Sequence, residues 1–291
     1  MKSSRLFVLL VLAFAAVLAL AACDLGGTEE KPTAVTTTPP TTTAPLTTPA
    51  PIVTTALVTS AAPVTAAPTP SVGLVFTPIG EGVCEVSGIG DCSDTDLVIP
   101  SVSPDGDRVT SIGEDAFAEC TSLTSVHIQD SVGAIGSSAF SGCTSLTSVT
   151  IGDSVWAIGS SAFEDCTSLT SVTIGDSVWA IGDGAFSSCW SLTSVTIGDS
   201  VTSIGDRAFY NCTSLTSVTI GDGVEIIGEY AFYNCTSLAS VAFADTSAWY
   251  RTDDWEDVAN MTGGSQVSVT NASTNATYLK DTYYEYYWYK K

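Results

Sequence analysis

Apolar residues return along this chain at the same positions every 23 residues, with small and polar residues between them. Six copies of the pattern follow one another without insertion from Arg108 to Asp245, and the third copy reads SVWAIGSSAFEDCTSLTSVTIGD. Every copy carries an Ile-Gly pair, an Ala-Phe pair, a Leu and a Val at equal positions. A fixed period of this length predicts a solenoid, in which each unit buries its apolar side against its neighbours.

Each unit contains two extended stretches. In the second copy, residues 146–151 (LTSVTI) have the pattern of a strand that buries Val149 and Ile151 and exposes Ser148 and Thr150. Equal strands from successive units are expected to stack as a parallel sheet. The Gly-Asp-Ser that follows predicts a turn, and Val-Trp-Ala-Ile predicts a second, shorter extended stretch.

The segment between the Ile-Gly and Ala-Phe pairs has residues typical of a helix start. Ser160 and most of its equivalents favour helix N-caps, so a short helical turn that carries the Ala-Phe pair is expected. The equivalents are Glu114, Ser137, Asp183, Asp206 and Glu229. The predicted fold is therefore an α/β-type repeat solenoid, a β-rich coil with a stacked parallel sheet and short helical turns.

The copies share the pattern IGxxAFxxCxSLxSVxIxxSV, which resembles the leucine-rich repeats of the BspA-like family of bacterial surface proteins. The segment from Cys84 to Gly113 looks like the N-terminal cap of that family, and the segment from Val267 to Trp288 looks like its C-terminal end. The resemblance covers the chain from about residue 80 onward and implies a leucine-rich-repeat coil. It also implies a lipid-anchored or secreted binding protein, often an adhesin, with no known active site.

The first residues have the layout of an export signal. Lys2 and Arg5 precede an apolar run at residues 6–22, which is too short for a comfortable membrane span. The run ends Leu-Ala-Ala-Cys, which looks like the lipobox of bacterial lipoproteins. Residues 1–22 are therefore predicted to be a signal peptide that is removed, and Cys23 to be lipidated. The alternative is an ordinary signal peptide followed by an incidental Cys.

A segment rich in Thr and Pro follows the predicted lipidated N-terminus at residues 23–27. Between Thr28 and Pro70, 15 of 43 residues are Thr and 9 are Pro. Because Pro removes backbone donors and favours polyproline II, residues 28–79 are expected to be a disordered, semi-stiff stalk, with a floppy linker as the alternative. The later boundaries place an N-terminal cap at 80–107, six repeats at 108–245 and a C-terminal cap at 246–291.

Charge excludes several functional classes. The chain has 9 Lys and Arg against 31 Asp and Glu, a formal net charge of −22. Such a surface repels nucleic acid and favours basic partners. His127 is the single histidine of the sequence, which leaves almost no material for a histidine-based triad or a metal site of several histidines. No catalytic site and no cofactor are therefore predicted.

Nine cysteines fall into three groups. Besides Cys23, the close pair Cys84 and Cys92 is predicted to form a disulfide that pins the N-terminal cap of an exported protein. The other six recur every 23 residues, as Cys120, Cys143, Cys166, Cys189, Cys212 and Cys235. Stacking places their Cα atoms about 5 Å apart, but parallel Cβ directions misplace the sulfurs for bonding. They are expected to be small buried hydrophobes, since a straight ladder cannot surround zinc.

The outward strand positions form two columns that are rich in hydroxyl groups. Ser125, Ser148, Ser171, Ser194, Ser217 and Ser240 run beside His127, Thr150, Thr173, Thr196, Thr219 and Ala242. The simple interpretation is that Thr suits exposed strand positions. A contact surface is one alternative. An ice-binding array is another, weakened by the Ser column.

Large aromatic residues stand at positions where other copies have small or polar residues. Trp156 and Trp179 share a column with Gly, Thr and Glu, and Trp190 replaces a Thr. Tyr210 and Tyr233 occupy a column otherwise filled by Ala, Ser and Glu. These five are the predicted binding residues, because aromatic side chains anchor partners or stack on sugars. Lateral packing between coils is the alternative, and the Tyr-rich C-terminal end is expected to cap the last coil.

Two acidic groups have alternatives in ion binding and in catalysis. An Asp column is expected to cap turns, with calcium binding as the alternative. Its members are Asp130, Asp153, Asp176, Asp199, Asp222 and Asp245. Asp253, Asp254, Glu256 and Asp257 supply enough carboxylates for a glycosidase pair, but a solvated charge run is the expected role. No metal site is predicted.

Together these features predict an exported, membrane-anchored lipoprotein on the bacterial cell surface. Its acidic solenoid is expected to bind a protein or glycan on another surface as a monomer, without catalysis. Aromatic anchors on a rigid frame would supply the binding, and the negative field would favour basic partners. The alternative is a structural envelope protein or spacer with no specific ligand.

Overall fold

The computed structural model describes residues 68–260 and 262–291. The predicted signal peptide, the predicted lipidation site Cys23 and most of the predicted stalk lie outside the described residues. Within the described part, no helix is long and apolar enough to cross a membrane.

Two sheets run along the solenoid, and each repeat contributes one strand to each sheet. Sheet B has seven parallel strands in which equal repeat positions pair, as Val195 does with Val172 and Val218. Its strands are β3 (Asp96–Val98), β5 (Ser125–His127), β7 (Ser148–Thr150), β9 (Ser171–Ile174), β11 (Ser194–Ile197), β13 (Ser217–Ile220) and β15 (Ser240–Phe243). This confirms the parallel sheet predicted from the LTSVTI segments.

Sheet A has eleven strands, with short parallel strands in the repeats and antiparallel strands at both ends. In spatial order they are β1 (Val75–Gly80), β2 (Val83–Gly88), β4 (Arg108–Ile112), β6 (Ala134–Ile135), β8 (Ala157–Ile158), β10 (Ala180–Ile181), β12 (Ser203–Ile204), β14 (Ile226–Ile227), β18 (Tyr287–Lys290), β16 (Trp249–Thr252) and β17 (Ser265–Val267). The helices of the described residues are α1 (Trp255–Asn260), α2 (Ala272–Thr277) and a π-helical turn (Tyr278–Thr282).

The core between the two sheets consists of ladders of identical side chains. One fully buried Phe ring per repeat stacks on the next, with centroids 5.0 to 5.3 Å apart. The rings belong to Phe117, Phe140, Phe163, Phe186, Phe209 and Phe232. Columns of Ile, Leu and Val fill the remaining interior. Because equal residues meet at every level, the burial of each coil depends on its two neighbours.

The connection that carries the Ala-Phe pair is a series of turns and not the predicted helical turn. Every repeat has one residue with positive φ before the pair and another after it. These residues are Asp115, Ser138, Ser161, Gly184, Arg207 and Tyr230, and then Glu119, Gly142, Asp165, Ser188, Asn211 and Asn234. Backbone donors cross to the next coil, as Phe163 N–H does to Ala185 O at 2.8 Å. These bonds between coils use the N–H groups that a continued helix would need.

The Gly that follows the Ile of each short sheet A strand, as Gly182 follows β10, lets neighbouring coils approach closely. A Cβ atom on Gly182 would lie 2.5 Å from Ser160 N and 2.6 Å from Gly159 C. A Cβ atom on Gly175, in the turn just before, would have no atom within 4 Å. The recurring Ile-Gly pair therefore reflects a steric requirement of stacking.

We expect Gly182→Ala to lower the free energy of unfolding by about 2 kcal/mol, because the added Cβ meets backbone atoms that cannot move aside. Gly175→Ala is the matched control and should change it by less than about 0.5 kcal/mol. Urea unfolding measures both values. Equal losses in the two variants would show that close approach does not explain Gly182.

The N-terminal cap begins before residue 80, where the sequence placed its boundary. Strand β1 precedes that residue and pairs antiparallel with β2, for example Phe76 with Val86. Ser71 covers the open edge of sheet B, since its N–H donates to Val98 O at 3.0 Å and its hydroxyl accepts from Val98 N–H at 3.1 Å. The predicted stalk boundary at residue 79 is therefore wrong. The sequence did not reveal it, because the residues that follow the Thr- and Pro-rich segment have no periodic pattern.

The C-terminal cap covers the other end of both sheets. Strand β18 pairs antiparallel with β14, and it buries Trp288 and Tyr289. Helix α2 packs on β15, where Asn275 Nδ2 donates to Val241 O at 2.9 Å. Lys280 Nζ donates to a carbonyl oxygen of the last coil at 2.8 Å. The Tyr-rich end therefore closes the solenoid, as its sequence predicted.

The cysteine column is buried, as predicted, although Cys120 at its N-terminal end is partly exposed. Each buried thiol donates to the carbonyl oxygen of the Phe in the preceding coil, as Cys166 does to Phe140 O at 3.2 Å. Burial raises the pKa of the Cys143 thiol to about 12, so this group stays protonated and remains a donor. The column thus adds a hydrogen bond to each level of the core.

The predicted disulfide between Cys84 and Cys92 is not formed in this structure, in which both thiols are free. Cys84 is buried in β2, with Sγ 3.8 Å from Asp107 O and 3.7 Å from Arg108 O. Cys92 is half-buried in a turn, where its N–H donates to Ile89 O. The two side chains therefore have different neighbours, which their spacing in sequence does not reveal.

Candidate functional site

Three parts of each repeat face outward. The first is the outer face of sheet B. The second, which we call the B-to-A connection, leads from sheet B to sheet A and includes residues 175–179. The third, the A-to-B connection, leads back to sheet B and includes residues 183–191. The five predicted binding residues are divided between the two connections, so the fold does not gather them into one site.

The outer face of sheet B is rich in hydroxyl groups over its central strands. Ser194 and Thr196 of β11 are exposed and alternate with buried residues. A neighbouring Thr column serves the fold, since Thr147 Oγ1 donates to Thr124 O at 2.8 Å and the bond repeats along the column. This pattern supports the structural interpretation of the hydroxyl-rich face, whose central strands carry no large side chain to anchor a partner.

Trp156 and Trp179 form a stacked pair on the B-to-A connection. Their ring centroids are 5.9 Å apart and their planes differ by 10°. Trp156 extends over the preceding coil, where a Cβ atom on Gly133 would lie 2.7 Å from Trp156 Nε1. Both indoles are half-buried. The pair therefore has the lateral packing that was the alternative to partner binding, and part of each ring remains open.

Trp190 lies on the A-to-B connection and exposes 50% of its surface. The other five copies have Thr at this position, so the fold does not require an indole there. Trp190 N–H donates to Ser188 O at 2.9 Å, and Ser188 N–H donates to Tyr210 O at 2.8 Å. This chain of bonds places Tyr210 of the next coil close to Trp190.

Tyr210 and Tyr233 begin an aromatic cluster that reaches the C-terminal cap. Their ring centroids are 5.7 Å apart, and Tyr233 lies 4.3 Å from Tyr284. Tyr230 packs edge-on against Tyr233 at 5.9 Å. Sequence reasoning missed Tyr230 and Tyr284 as neighbours of the predicted site, because Tyr284 is far from Tyr233 in the chain and the column of Tyr230 has no other aromatic residue. Tyr230 directly precedes the Ala-Phe pair of the last copy, and this unusual aromatic residue could have indicated the cluster.

The Asp column stabilises the turns of the B-to-A connection. Asp130 Oδ1 accepts from Asp153 N–H at 2.9 Å, and Asp176 Oδ1 accepts from Asp199 N–H at 3.3 Å. These carboxylates thus cap the turn of the next coil, which is the role that the sequence predicted. Among the described residues, no group of three or more His, Cys, Asp or Glu side chains is placed to hold a metal ion.

The carboxylates around α1 accept hydrogen bonds from other groups of the C-terminal cap. Asp254 Oδ1 accepts from Glu256 N–H at 2.8 Å, and Asp257 accepts from the Thr252 hydroxyl at 3.2 Å. A shallow depression on the same cap is lined by Thr246, Ser247, Ala248, Gln266, Val267 and Ser268. Its lining has no acidic or basic side chain, so the depression and these carboxylates do not form one site.

A second acidic ladder lies where the A-to-B connection meets the C-terminal cap. Asp183 Oδ1 accepts from Asp206 N–H, and Asp206 Oδ1 accepts from Glu229 N–H, both at 3.0 Å. Burial raises the pKa of Asp206 from 3.8 to about 6, and the Asp183 carboxylate adds to the effect. Burial also raises the pKa of Tyr287, and the negative charge of Asp206 raises it further. The folded protein therefore holds a proton on Asp206 more tightly than the unfolded chain does.

We expect Asp206→Asn to raise the free energy of unfolding by about 1 kcal/mol near pH 7.5 and to give no gain near pH 4. The pKa of Asp206 is higher in the folded chain, so the contribution of this group to wild-type stability is fully present below about pH 4 and is lost as the pH rises through about 6. Asn keeps the acceptor for Glu229 N–H without the charge. Thermal unfolding at both pH values tests this, with exposed Asp199→Asn as the control. A gain that is equal at both pH values would contradict ionisation as the cause.

Comparisons with known proteins agree with this architecture. The family described as "BspA type Leucine rich repeat region (6 copies)" matches residues 92–214 and 180–253, which together cover more than half of the chain. Comparison with curated proteins gives no match.

Three solved structures illustrate what the chain is similar to. A leucine-rich repeat protein of T. pallidum is 31% identical, with a TM-score of 0.54, and the alignment covers 60% of this chain and 81% of that one. A leucine-rich repeat protein of Bacteroides ovatus is 33% identical, with a TM-score of 0.53, over 58% of this chain and 45% of that one. A leucine-rich cell surface protein of Faecalibacterium prausnitzii is 28% identical, with a TM-score of 0.50, over 71% and 62%.

The repeat, the stacked sheets and these comparisons lead to one assignment. The fold is that of bacterial leucine-rich repeat proteins, which are interaction scaffolds that typically lack catalysis. The buried ladders of equal residues explain why the pattern repeats, and the outward columns, which vary, distinguish one copy from the next. The chain belongs to the BspA-type leucine-rich repeat family.

Proposed function

We propose that this protein is a bacterial cell-surface lipoprotein, anchored by a lipid on Cys23, whose solenoid acts as a monomer and binds a protein on another surface. The observation that carries the proposal is the exposed indole of Trp190 at a position where the repeat otherwise has Thr. A half-exposed Trp offers about 100 Å² of apolar surface, which is worth about 2.5 kcal/mol when a partner covers it.

Two further features support this function. The backbone at Trp190 is bonded to both neighbouring coils, since Ser191 N–H donates to Thr167 O and Ser214 N–H donates to Trp190 O, both at 3.2 Å. A partner therefore meets the indole without ordering a loop, which limits the entropy cost of binding. A solved relative from Faecalibacterium prausnitzii is described as a cell surface protein, which suits a lipid-anchored location. The proposed anchor itself is tested by Cys23→Ser, which should move the chain from the membrane fraction into the medium.

The binding role is tested with the full chain as bait against a surface-protein extract and a glycan array. Trp190→Thr restores the residue that the other copies carry, so the fold should survive while partner affinity falls at least about tenfold. Trp179→Thr is the matched control on the other connection, where the next coil already has Thr202. We expect it to lower thermal stability through loss of the indole stack and to leave affinity unchanged.

The outcomes distinguish the candidate functions. Undiminished affinity of Trp190→Thr with loss of affinity in Trp179→Thr would move the binding surface to the Trp156 and Trp179 pair. A glycan captured in place of a protein would overturn the proposed partner class. No captured partner with the wild-type chain would favour a structural spacer.

A further inference from the structure

The A-to-B connection changes its chemistry along the solenoid. One outward column runs Ala118, Ser141, Glu164, Ser187, Tyr210 and Tyr233 from the first copy to the last. The third copy adds a second carboxylate at Asp165, and the fourth carries Trp190. Two carboxylates are therefore followed, coil by coil, by an exposed indole and two phenol rings.

The segments that carry these side chains lie next to one another in space. Asp165 N–H donates to Ser187 O at 2.9 Å, which places Asp165 beside the segment that carries Trp190. Burial raises the pKa of the Cys189 thiol, and the charges of Asp165 and Glu164 add to the effect, so both carboxylates lie within electrostatic reach of the residue before Trp190. Asp165 and Trp190 are exposed and Glu164 is half-buried. The indole and the two carboxylates thus lie on adjacent coils of the same connection, on the outside of the protein.

The two coils that carry Glu164, Asp165 and Trp190 have no basic residue to neutralise these carboxylates. Residues 109–206 contain eleven Asp and Glu and no Lys or Arg. Of the six basic residues in the described part, five contact the C-terminal end, as Arg207 does at 4.9 Å from the Tyr230 ring and Lys290 at 3.0 Å from Asp245. The others are Arg251, Lys280 and Lys291. The negative charge around Trp190 therefore remains available to a partner.

The protein itself shows how a cation binds to such a surface. Arg251 lies 3.9 Å from the Tyr283 ring centroid and 4.6 Å from that of Tyr286. Lys291 Nζ lies 4.2 Å from the Tyr250 ring centroid. A cation over an aromatic face with a carboxylate nearby gains from both contacts. Trp, with the most favourable ring for this contact, stands beside two unpaired carboxylates on the A-to-B connection.

We propose that the surface formed by Glu164, Asp165, Trp190 and Tyr210 binds an Arg- or Lys-bearing segment of a partner protein. This inference rests on the proposed function and specifies the chemistry of its partner. The guanidinium or ammonium group lies on the Trp190 indole and pairs with the carboxylates, and the Tyr210 ring packs against the aliphatic part of the same segment. The negative field of the coils increases the rate of encounter and makes it sensitive to salt.

The test uses the full chain and a labelled peptide of alternating Arg and Ser, with fluorescence anisotropy as the measurement. The neutral control peptide carries citrulline in place of Arg. Glu164→Gln with Asp165→Asn removes the local charge, and Asn tolerates the positive φ of Asp165. The matched control, Asp153→Asn with Asp176→Asn, removes equal charge from the B-to-A connection. Thermal unfolding confirms that each variant is folded.

We expect the Arg peptide to bind and the citrulline peptide to bind at least about tenfold more weakly. Affinity should fall about tenfold in Trp190→Thr and about fivefold in the Glu164 and Asp165 variant, and should hardly change in the control variant. Equal losses in the two charge variants would overturn a local site in favour of the general field of the protein. Loss of the surface partner in Trp190→Thr, with no effect of the Glu164 and Asp165 variant, would overturn the inference and leave the proposed function standing.

Discussion

We expect Phe163→Ala to lower the free energy of unfolding by about 4 kcal/mol, the largest loss for a single core position of the repeats. Phe163 is fully buried, and its ring lies 5.2 Å from both Phe140 and Phe186. Removal of the ring leaves a cavity between two rigid neighbours and deletes both stacking contacts. Because repeat stability depends on contacts between adjacent coils, the loss weakens two interfaces at once.

Urea unfolding measures this effect, and a second variant separates its two causes. Phe163→Leu keeps most of the burial without the ring stack, and we expect a loss of about 1.5 kcal/mol. The exposed Thr173→Ala on β9 is the surface control and should change stability by less than about 0.5 kcal/mol. If Phe163→Ala costs no more than this control, the Phe ladder does not hold the coils together.

We expect Asn275→Asp to lower the free energy of unfolding by about 4 kcal/mol near pH 7. Asn275 is 1% exposed, and its Nδ2 donates to Val241 O and Val269 O, both at 2.9 Å. A carboxylate has no proton to donate and would be buried against two carbonyl oxygens. Val241 belongs to β15, so the change also opens the last edge of sheet B. At low pH the protonated acid regains one donor, and the loss should become smaller.

The same substitution four positions earlier is a matched control. Asn271 is exposed and caps α2, since its side chain accepts from Thr274 N–H at 3.0 Å. Asp accepts this bond equally well and its charge suits a helix start, so Asn271→Asp should be neutral or slightly stabilising. Hydrogen exchange of the β15 amides locates the effect. Unaltered protection in Asn275→Asp would show that this side chain does not seal the sheet.

The two caps illustrate how the fold protects its exposed strand edges. Edge strands attract other chains, and repeat proteins need terminal units with a polar outer face. Ser71 covers β3 at one end of sheet B, and Asn275 covers β15 at the other, while Lys280 donates to Leu238 O just before β15. With both ends capped in this way, the solenoid exposes side chains such as Trp190 without leaving an open strand edge beside them in sheet B.

Sequence alone predicted the features that the repeat imposes on every copy. The 23-residue period located the two extended stretches, the buried Phe, Leu and Val columns and the buried cysteine column. It also showed that the positions of Trp156, Trp179 and Trp190 vary from copy to copy. These predictions succeeded because each coil contacts mainly its neighbours, so a feature repeated six times reports a local and recurring requirement.

Only the tertiary structure decided the features that do not repeat. It moved the start of the N-terminal cap ahead of residue 80 and left Cys84 and Cys92 unpaired. It also placed Tyr284 on Tyr233 and Asp165 beside the segment of Trp190. Each of these depends on which backbone groups or side chains meet across coils or across the caps. A periodic pattern has no information about such contacts, because they form once, between residues whose distance is set by the folded chain.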